Sequence, residues 1–482
     1  MKRRFPFALV LGALLVHVIG MSPAQAQTVT VLHSFRGSDG QNPAGPVVLV
    51  SNTLWGTTFA GSYDYGTVFS VKTDGTGFTN LHSFLGYGYN DGAYSYAGLV
   101  WGNGTFYGTA FSGGHSGNAG TLFKINSGLS NYATLRYFSD PAPPNNINSD
   151  GANSRTGLVL EKDTLYGVAT GGGTGAMGTV FRVSTNGTAF TNLHSFARLI
   201  ANTNNDGAHP YGDLILSSNT LFGTTTRGGF WGNGTVFRVN TDGTGFTNLY
   251  NFSATVSNTN SDGAWPYGGL ALSGGTLFGT TEQGGPAGWG TVFSLHTDGT
   301  GFTNLHSFEP ILNPYSTNSD GGTPYGDLLL AGDTLYGTAR VGGLYTSGTV
   351  FALNTNGTGF VTLHNFGSYG VNPQAGLILA GCTFYGTTAN GGAPGNGTVF
   401  SLALLPGIAN ITVSGPDLVV DATNGVANCT YTLLSSTNPT LPLAQWTPIA
   451  TNVPTRAGPF TFTLSNAFDV SLPEQFYTIR AQ

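Results

Sequence analysis

Charged side chains are scarce in this chain of 482 residues. Asp, Glu, Lys and Arg together make up 8% of it, against about 25% in an average soluble protein. The formal net charge is −6, and no run of basic residues lies beyond the N-terminus. Nucleic-acid binding depends on clustered Lys and Arg that face phosphates, so the composition argues against a nucleic-acid partner.

Long apolar runs are also missing beyond the N-terminus. Residues 1–26 have the form of a secretory signal peptide: basic residues 2–4 precede an apolar stretch from residue 5 to about residue 19, and Ala-Gln-Ala at 24–26 forms a cleavage site. An uncleaved membrane anchor is the alternative, but the apolar run is short. We expect a mature protein without a membrane span that is secreted or held in the cell envelope, in the periplasm or outside the cell.

Familiar catalytic motifs are missing too, since the chain has no GxSxG, no HExxH and no P-loop. It has only two cysteines, Cys382 and Cys429. An exported protein enters an oxidising compartment, so a disulfide between them is one expectation and two independent thiols are the other. No cofactor is indicated.

Glycine, in contrast, is abundant, with 75 residues, and it belongs to a repeat. A hydrophobic content of 40% and an aromatic content of 12% argue against a disordered chain. The motif GTVF, or a close variant, recurs with phenylalanines at Phe69, Phe123, Phe181, Phe237, Phe293, Phe351 and Phe400. This period of 49 to 58 residues, filled only with short strand and turn signals, indicates repeated β-sheets.

Each repeat carries four strand signals in a fixed order, which we call a, b, c and d. Examples are 157–160 for strand a, 220–225 for b, 234–239 for c and 302–308 for d. Asp-Gly or Asn-Gly between c and d supplies the positive φ angles of a tight hairpin. Each repeat is therefore predicted to be a four-stranded antiparallel meander, as in the blade of a β-propeller.

The ends of the repeat region indicate a closed ring. The first strand signal, at residues 28–35, is a d strand, whereas the last repeat stops after its c strand near Leu404. An N-terminal strand that completes the last blade explains this offset, while an open β-solenoid would leave a bare edge. The sequence predicts an all-β fold: a seven-bladed β-propeller over residues 27–404 and a small C-terminal β-sandwich over residues 405–482.

The repeated core, DGAxPYGxLxLxxxTLFGTTxxGGxxGxGTVFxVxTDGTGFTNLHSF, resembles the GloVer tandem repeat of secreted bacterial proteins. The resemblance extends over residues 28–404 and recurs seven times. It implies secretion and a repeat fold, and it carries over no activity and no catalytic residues.

Two sets of polar residues recur at equivalent positions. Strand d carries His33, His82, His194, His306 and His364. Such residues lie one per blade and cannot converge within about 2 Å of one ion, so we expect each imidazole to be hydrogen-bonded within its own blade. Asp-Gly pairs follow in the d–a connections, preceded by alternating Asn residues as at the start of a calcium loop. Because the charge is low, turns are favoured, and calcium is the alternative at Asp150, Asp206, Asp262 and Asp320.

The b–c and d–a connections of a meander emerge on one face, which we call the loop face. These connections are long and variable, as functional loops usually are. The candidate ligand-binding residues on this face are aromatic, or are polar residues that break the repeat: Trp231, Trp265, Trp289, Arg227, Glu282, Arg340 and His209. Aromatic rings there would suit stacking on sugars or anchoring a protein partner.

We therefore expect a secreted binding or scaffold protein that recognises extracellular glycans or surface proteins through the loop face. One alternative is a polysaccharide-active enzyme, a hydrolase or lyase, that uses Glu282 and a nearby Asp as its two acids. Another is a structural outer-layer protein without a ligand. The missing catalytic motif favours binding, and the sequence does not fix an oligomeric state.

Overall fold

A computed structural model of the chain describes residues 17–18, 27–114, 118–127, 131–311, 317–414, 417–465 and 475–482. The chain divides into two compact units, one of which is Val29–Ala403 and the other Leu404–Gln482 with the residues up to Thr28. Apart from His17 and Val18, the predicted signal peptide lies outside the described residues. Within the described ranges, no helix is both long and apolar enough to cross a membrane.

The described part of Val29–Ala403 contains seven sheets of four or more strands, numbered here in chain order, whose strands follow the predicted sequence a, b, c, d. Strand a is Val48–Val50, Val100–Gly102, Val159–Glu161, Ile215–Ser217, Ala271–Ser273, Leu329–Ala331 and Ile378–Ala380. Strand b is Thr53–Thr58, Thr105–Ala110, Thr164–Ala169, Thr220–Thr225, Thr276–Thr281, Thr334–Val341 and Thr383–Thr388. Strand c is Thr67–Lys72, Thr121–Asn126, Thr179–Ser184, Thr235–Asn240, Thr291–His296, Thr349–Asn354 and Thr398–Leu404. Strand d is Thr79–Ser83, Ala133–Tyr137, Thr191–Ser195, Thr247–Asn251, Thr303–Ser307, Val361–Asn365 and, for sheet 7, Gln27–Ser34.

A few short elements decorate these sheets. Gly92–Ala93 pairs with Ser112–Gly113, and Gly322–Pro324 pairs with the end of strand b in sheet 6. A 3-10 turn spans Ser62–Asp64.

The repeat keeps a glycine in strand b because of the phenylalanine in strand c. In sheet 4, Gly223 pairs directly with Phe237, and a Cβ on this glycine would lie 2.7 Å from the tip of the ring. The ring thus crosses the neighbouring strand and is fully buried. Only a glycine in strand b leaves room for the phenylalanine ring of strand c, so this pair fixes the register of the two strands.

The N-terminal strand lies in the last sheet. Gln27–Ser34 is hydrogen-bonded beside Thr398–Leu404, and the Phe35 N–H donates to the Gly397 carbonyl at 3.1 Å. The phenylalanine that ends strand d makes the same bond in every other sheet. The strand predicted over residues 28–35 therefore occupies the d position of sheet 7.

Sheet 7 also packs against sheet 1. Leu32 and Phe35 belong to one buried cluster with Val47, Leu54 and Phe69 of sheet 1. Comparable clusters join sheets 1 to 2, 2 to 3, 3 to 4, 4 to 5 and 5 to 6. The apolar faces of the sheets are therefore covered by other sheets, and the last sheet meets the first.

The inner edges of neighbouring sheets touch around a narrow channel. Thr57 Oγ1 donates to the Ala97 carbonyl at 2.7 Å between sheets 1 and 2, and Thr387 Oγ1 donates to the Gly45 carbonyl at 3.2 Å between sheets 7 and 1. A Cβ on Gly45 would lie 2.4 Å from the backbone of Ala97, so this approach requires glycine. Radial stacking of four-stranded sheets is the arrangement of a β-propeller.

The C-terminal unit is also all-β in its described residues. One sheet contains Gly407–Ser414, Asp417–Gly425 and Gly458–Leu464; the other contains Tyr431–Ser436, Thr447–Asn452 and Phe476–Ala481, with His17–Val18 parallel to the last. A 3-10 turn spans Leu443–Gln445. Val420, Tyr431, Leu433 and Phe462 are buried here.

Candidate functional site

The d–a and b–c connections of a repeat lie against each other. Backbone bridges join Ala208 to Arg227 in sheet 4 and Ala264 to Gln283 in sheet 5. Equivalent bridges join Gln41 to Ala60, Ala152 to Gly171 and Val371 to Asn390. The two sets of loops therefore share one face, as the meander predicts.

One residue per repeat in the d–a connection has a left-handed backbone. These residues have φ between 49° and 60° and are Asn42, Tyr94, Asn153, His209, Trp265, Thr323 and Asn372. The N–H of each donates to a b–c loop carbonyl of the preceding sheet at 2.7 to 2.9 Å. A left-handed conformation costs a non-glycine residue about 1–3 kcal/mol and is frequent at functional sites. His209 and Trp265, both predicted, belong to this set, which we call the upper ring.

A second set of equivalent residues lies two positions further along the chain. These seven residues, the axial ring, are Ala44, Tyr96, Arg155, Tyr211, Tyr267, Tyr325 and Gln374, and all of them line one cavity of about 60 Å³. A space of this size admits only a few water-sized groups. The sequence search did not single out this ring.

Aromatic rings dominate one side of the axial ring. Tyr211 and Tyr267 have ring centres 5.0 Å apart, and Tyr267 stacks on Tyr325 at 4.6 Å. The Arg155 guanidinium lies over the rings of Tyr96 and Tyr211, at 4.2 and 5.3 Å from their centres. Burial raises the pKa of Tyr325 and also that of Tyr96, so these phenols stay neutral.

The aromatic run continues from the axial ring to the loop face. Tyr96 lies 4.6 Å from Phe59, and Phe59 lies 4.9 Å from Tyr94 of the upper ring. Tyr65 follows at 5.8 Å from Tyr94, and Tyr87, which is 40% exposed, lies 5.3 Å from Tyr65. Aromatic rings in contact with one another therefore extend from the exposed Tyr87 to the axial ring.

Above the axial ring, the channel opens into a mouth of about 230 Å³. Its walls consist of Asn42, Ala44, Phe59, Tyr96, Arg340, Asn372, Gln374, Ala389 and Asn390. Three amides are linked in a chain: Asn42 donates to Asn390 at 3.1 Å, and Asn390 donates to Asn372 at 3.1 Å. Asn372 donates to the Arg340 carbonyl at 3.0 Å. The polar wall is thereby held in a fixed orientation.

The charged residues that break the repeat come together on the loop face. The Arg227 guanidinium lies 3.8 Å from the centre of the Trp265 ring, and the Glu282 N–H donates to the Trp265 carbonyl at 3.0 Å. Arg340 Nη1 lies 3.6 Å from Glu282 Oε1. Burial raises the pKa of Glu282, and the two arginines oppose that effect. Glu282 is thus flanked by guanidinium groups.

The other two predicted tryptophans lie elsewhere. Trp231 is 52% exposed at the tip of a b–c loop, with its ring 4.7 Å from that of Phe230. Trp289 is partly buried against the core between sheets 5 and 6. Neither of them lines the mouth.

Two carboxylates that sequence reasoning missed lie in the channel wall. Asp213 accepts a hydrogen bond from the Gly157 N–H at 2.7 Å, and Asp327 accepts one from the Gly269 N–H at 2.5 Å. Burial, together with the Asp327 charge, raises the pKa of Asp213 above its usual range. Burial likewise raises the pKa of Asp327. The sequence does distinguish these two residues, because four other repeats have Gly at the same position.

The repeated histidines are hydrogen-bonded, as predicted. His194 Nε2 and Asp206 Oδ2 lie 3.0 Å apart, the Ala197 N–H donates to the same carboxylate oxygen at 3.0 Å, and Phe246 of the next sheet stacks on the imidazole at 3.6 Å. The equivalent pairs are His33–Asp39, His82–Asp91 and His306–Asp320. Where the sequence departs from His or Asp, the contact survives as Arg136–Asp150, Tyr250–Asp262 and His364–Tyr369.

These contacts also account for the loops considered as calcium sites. The carboxylates of Asp150, Asp206, Asp262 and Asp320 accept hydrogen bonds from protein donors. The Asn side chain two residues before each of these Asp residues hydrogen-bonds to the backbone. For example, Asn204 Oδ1 accepts hydrogen bonds from the N–H groups of Gly207 and Gly229 at 2.9 and 2.8 Å. In the described ranges, no three His, Cys, Asp or Glu side chains are placed to hold a metal ion. The geometry is that of a hydrogen-bonded turn, and calcium binding stays a question for experiment.

The two cysteines lie in different units. Cys382, in the a–b turn of sheet 7, is buried, and so is Cys429 in the C-terminal unit. The disulfide between them stays a prediction.

Three solved structures are similar to the chain at TM-scores below 0.5. An oligogalacturonate lyase from Vibrio parahaemolyticus is 10% identical over 80% of this chain and 96% of its own, with a TM-score of 0.47. A puromycin-hydrolysing peptidase from Mycobacterium tuberculosis is 13% identical over 85% of this chain and 61% of its own, at 0.45. A chain of a nidogen–laminin complex is 13% identical over 75% of this chain and 99% of its own, at 0.35. These values carry no argument about activity.

No curated protein matches the chain. The sequence does match the Gloeobacter/Verrucomicrobia repeat, over residues 17–203, 199–318 and 310–432. These segments include all the GTVF-type motifs, the upper ring and the axial ring. The chain therefore belongs to the Gloeobacter/Verrucomicrobia repeat family.

Proposed function

We propose that this chain is a secreted seven-bladed β-propeller that binds extracellular glycans at the mouth of its central channel. The observation that carries the proposal is the composition of the mouth, where aromatic rings and ordered amides line one cavity of about 230 Å³. The C-terminal unit is proposed to be a small β-sandwich appended to the propeller.

A count of seven blades is supported by the two rings. The upper ring and the axial ring each contain one residue from every repeat. All seven axial residues line the same cavity, which requires that their sheets surround one axis. The Gln27–Ser34 strand supplies the d position that the last repeat lacks.

The mouth has the chemistry of a sugar site. The apolar face of a sugar ring can contact Phe59 and Tyr96 where they line the mouth, while its hydroxyl groups can bond to the amides of Asn42, Asn372 and Gln374. A drug-sized ligand occupies about 300–1,000 Å³, so this smaller mouth suits one sugar unit or the end of a longer chain. A glycan could continue from there along Tyr94, Tyr65 and Tyr87 to the solvent.

Binding can be tested with the mature chain, residues 27–482, on a glycan array, followed by calorimetry with the best ligand. Tyr96→Ala and Gln374→Ala should each weaken binding about tenfold or more, since each removes one side of the mouth. Trp231→Ala, an aromatic outside the mouth, should leave the affinity unchanged. An array without any ligand would instead support a structural outer-layer protein. If Trp231→Ala abolished glycan binding and Tyr96→Ala did not, the binding site would lie at the tips of the b–c loops and not in the mouth.

A polysaccharide-active enzyme is the second candidate, and one observation favours it. Asp213 and Asp327 form a pair of carboxylates with raised pKa values, the property of a general acid. Their cavity of about 60 Å³ is too narrow for a sugar ring, so binding remains the first proposal. Release of reducing ends from a polysaccharide bound by the wild type, abolished by Asp213→Asn or Asp327→Asn, would reverse this order.

A further inference from the structure

Arginines gather at the channel of a chain that has few cations. Lys and Arg together number 16 in 482 residues. Nevertheless Arg155 lines the channel cavity, Arg340 lines the mouth, and Arg227 covers Trp265 beside them. Three different repeats supply these residues, so no feature common to the repeat explains why they share a place.

Their charges are poorly matched by carboxylates. Arg340 has a side chain that is 42% exposed, and its contact with Glu282 measures 3.6 Å, which exceeds hydrogen-bond length. In the described part of the chain, Arg155 makes no ion pair, and its guanidinium faces aromatic rings. A guanidinium carries five N–H donors, so both side chains retain capacity for an anion.

The remaining acids do not neutralise the mouth. Glu282 is a single carboxylate shared by Arg227 and Arg340. The deeper pair, Asp213 and Asp327, retains a proton more readily than ordinary carboxylates because burial disfavours its charge. The mouth is therefore a positive opening in a chain with a net charge of −6. Such a contrast attracts anions to the opening.

The positive groups also surround the proposed sugar platform. The Arg155 guanidinium lies 4.2 Å from the centre of the Tyr96 ring, and Tyr96 and Arg340 line the same mouth. We propose that the mouth selects anionic glycans, with the sugar ring against Tyr96 and its carboxylate or sulfate group bound by Arg340, while the charge of Arg155 in the adjoining cavity adds to the positive potential. Guanidinium groups are well suited to such planar or multi-oxygen anions. This inference rests on the proposed glycan-binding function and names its ligand class.

Three oligosaccharides of equal length separate the possibilities in calorimetry with the mature chain. They are an oligoglucuronate, its carboxyl-reduced neutral counterpart and a sulfated form of that neutral chain. We expect either anionic oligosaccharide to bind about ten to a hundred times more tightly than the neutral one, the usual effect of a charge-assisted hydrogen bond. The difference should shrink as salt is raised. A preference for the uronate over the sulfated chain, or the reverse, identifies which anion Arg340 binds.

Arg340→Gln should remove most of that preference and leave binding of the neutral chain almost unchanged. Arg182→Gln is the matched control, because Arg182 donates to the Thr241 carbonyl outside the channel and its loss changes the net charge equally. Equal affinity for neutral and anionic chains would overturn this inference and leave glycan binding intact. An equal effect of the two arginine variants would also overturn it. Binding of none of the three chains would count against both proposals.

Discussion

The N-terminal strand should contribute as much stability as a strand in the middle of the chain. Phe35 is 0% exposed, and its ring lies 5.1 Å from that of Phe69 in sheet 1. Phe84 occupies the equivalent place in sheet 1, is also 0% exposed and lies 5.4 Å from Phe123. Replacing such a ring by a methyl group costs about 3–5 kcal/mol, through lost burial and the cavity left behind. We therefore expect Phe35→Ala and Phe84→Ala to lower the free energy of unfolding equally.

The comparison is best made by urea unfolding, followed by tryptophan fluorescence and far-UV circular dichroism. Domains are stable by only about 5–15 kcal/mol, so each alanine variant should stay folded but marginal. Phe35→Leu and Phe84→Leu provide a milder pair if an alanine variant fails to fold. Deleting residues 27–36 should be more severe, since it removes Leu32 and Phe35 and exposes the edge of Thr398–Leu404.

The reasoning would be refuted by an asymmetric result. If Phe35→Ala cost less than about 1 kcal/mol while Phe84→Ala cost the expected amount, the N-terminal strand would not be held in sheet 7. The repeats would then form an open array in solution, with sheet 7 as a three-stranded terminus.

Further outcomes can be measured on the same preparation. Treatment with EDTA should leave the thermal midpoint unchanged, because protein donors already hydrogen-bond to the carboxylates of the Asp-Gly loops. A lower midpoint in EDTA that calcium restores would show that these loops bind calcium. Burial lowers the pKa of His364 to about 4, so the unfolded chain takes up this proton first and stability should fall as pH drops from about 6.5 to about 4; His364→Gln should flatten that slope, and an unchanged slope would contradict the assignment. Burial of Asp91 is outweighed by hydrogen bonds such as that from His82, and the pKa of Asp91 is lowered; its stabilisation should persist at neutral pH and disappear in stronger acid, and Asp91→Asn should abolish this part of the acid dependence. Peptide mapping without reductant should yield Cys382 and Cys429 in one linked fragment, and alkylation of both without reduction would exclude the bond.

The strands were predictable because the same strand and turn signals recur in every repeat. The predicted strand b at residues 220–225 coincides with Thr220–Thr225. Strand c was predicted at 234–239 and is Thr235–Asn240, because Gly234 has a φ of 95° and belongs to the preceding turn. A left-handed glycine at a strand boundary cannot be distinguished from a strand glycine by composition alone.

The site was predictable only in part. Loop exposure and rare charges identified Arg227, Trp265, Glu282 and Arg340, which the structure brings together. Trp289 was chosen by the same criterion but packs into the core, since exposure depends on the neighbouring sheet. These candidates are aromatic residues or residues that break the repeat, so the regular members of the repeat were not among them.

The axial ring shows why this matters. Tyr211, Tyr267 and Tyr325 belong to the recurring PYG motif and do not break the repeat. Circular arrangement places every copy of such a position around one axis, so repetition itself builds the cavity. Asp213 was missed for a different reason: it does break the repeat, but an acid beside a glycine suggests a turn until the axis is known.

The upper ring has a consequence for how sequences of this family can vary. Its backbone is held by hydrogen bonds of main-chain N–H groups, which do not depend on the side chain. Side chains as different as Tyr94, His209, Trp265 and Thr323 occupy equivalent places with nearly the same φ. Each position of the ring therefore accepts different side chains on the same backbone. Under the proposed function, exchanging one residue at one position would alter the ligand that is bound, while the sheets beneath keep their sequence.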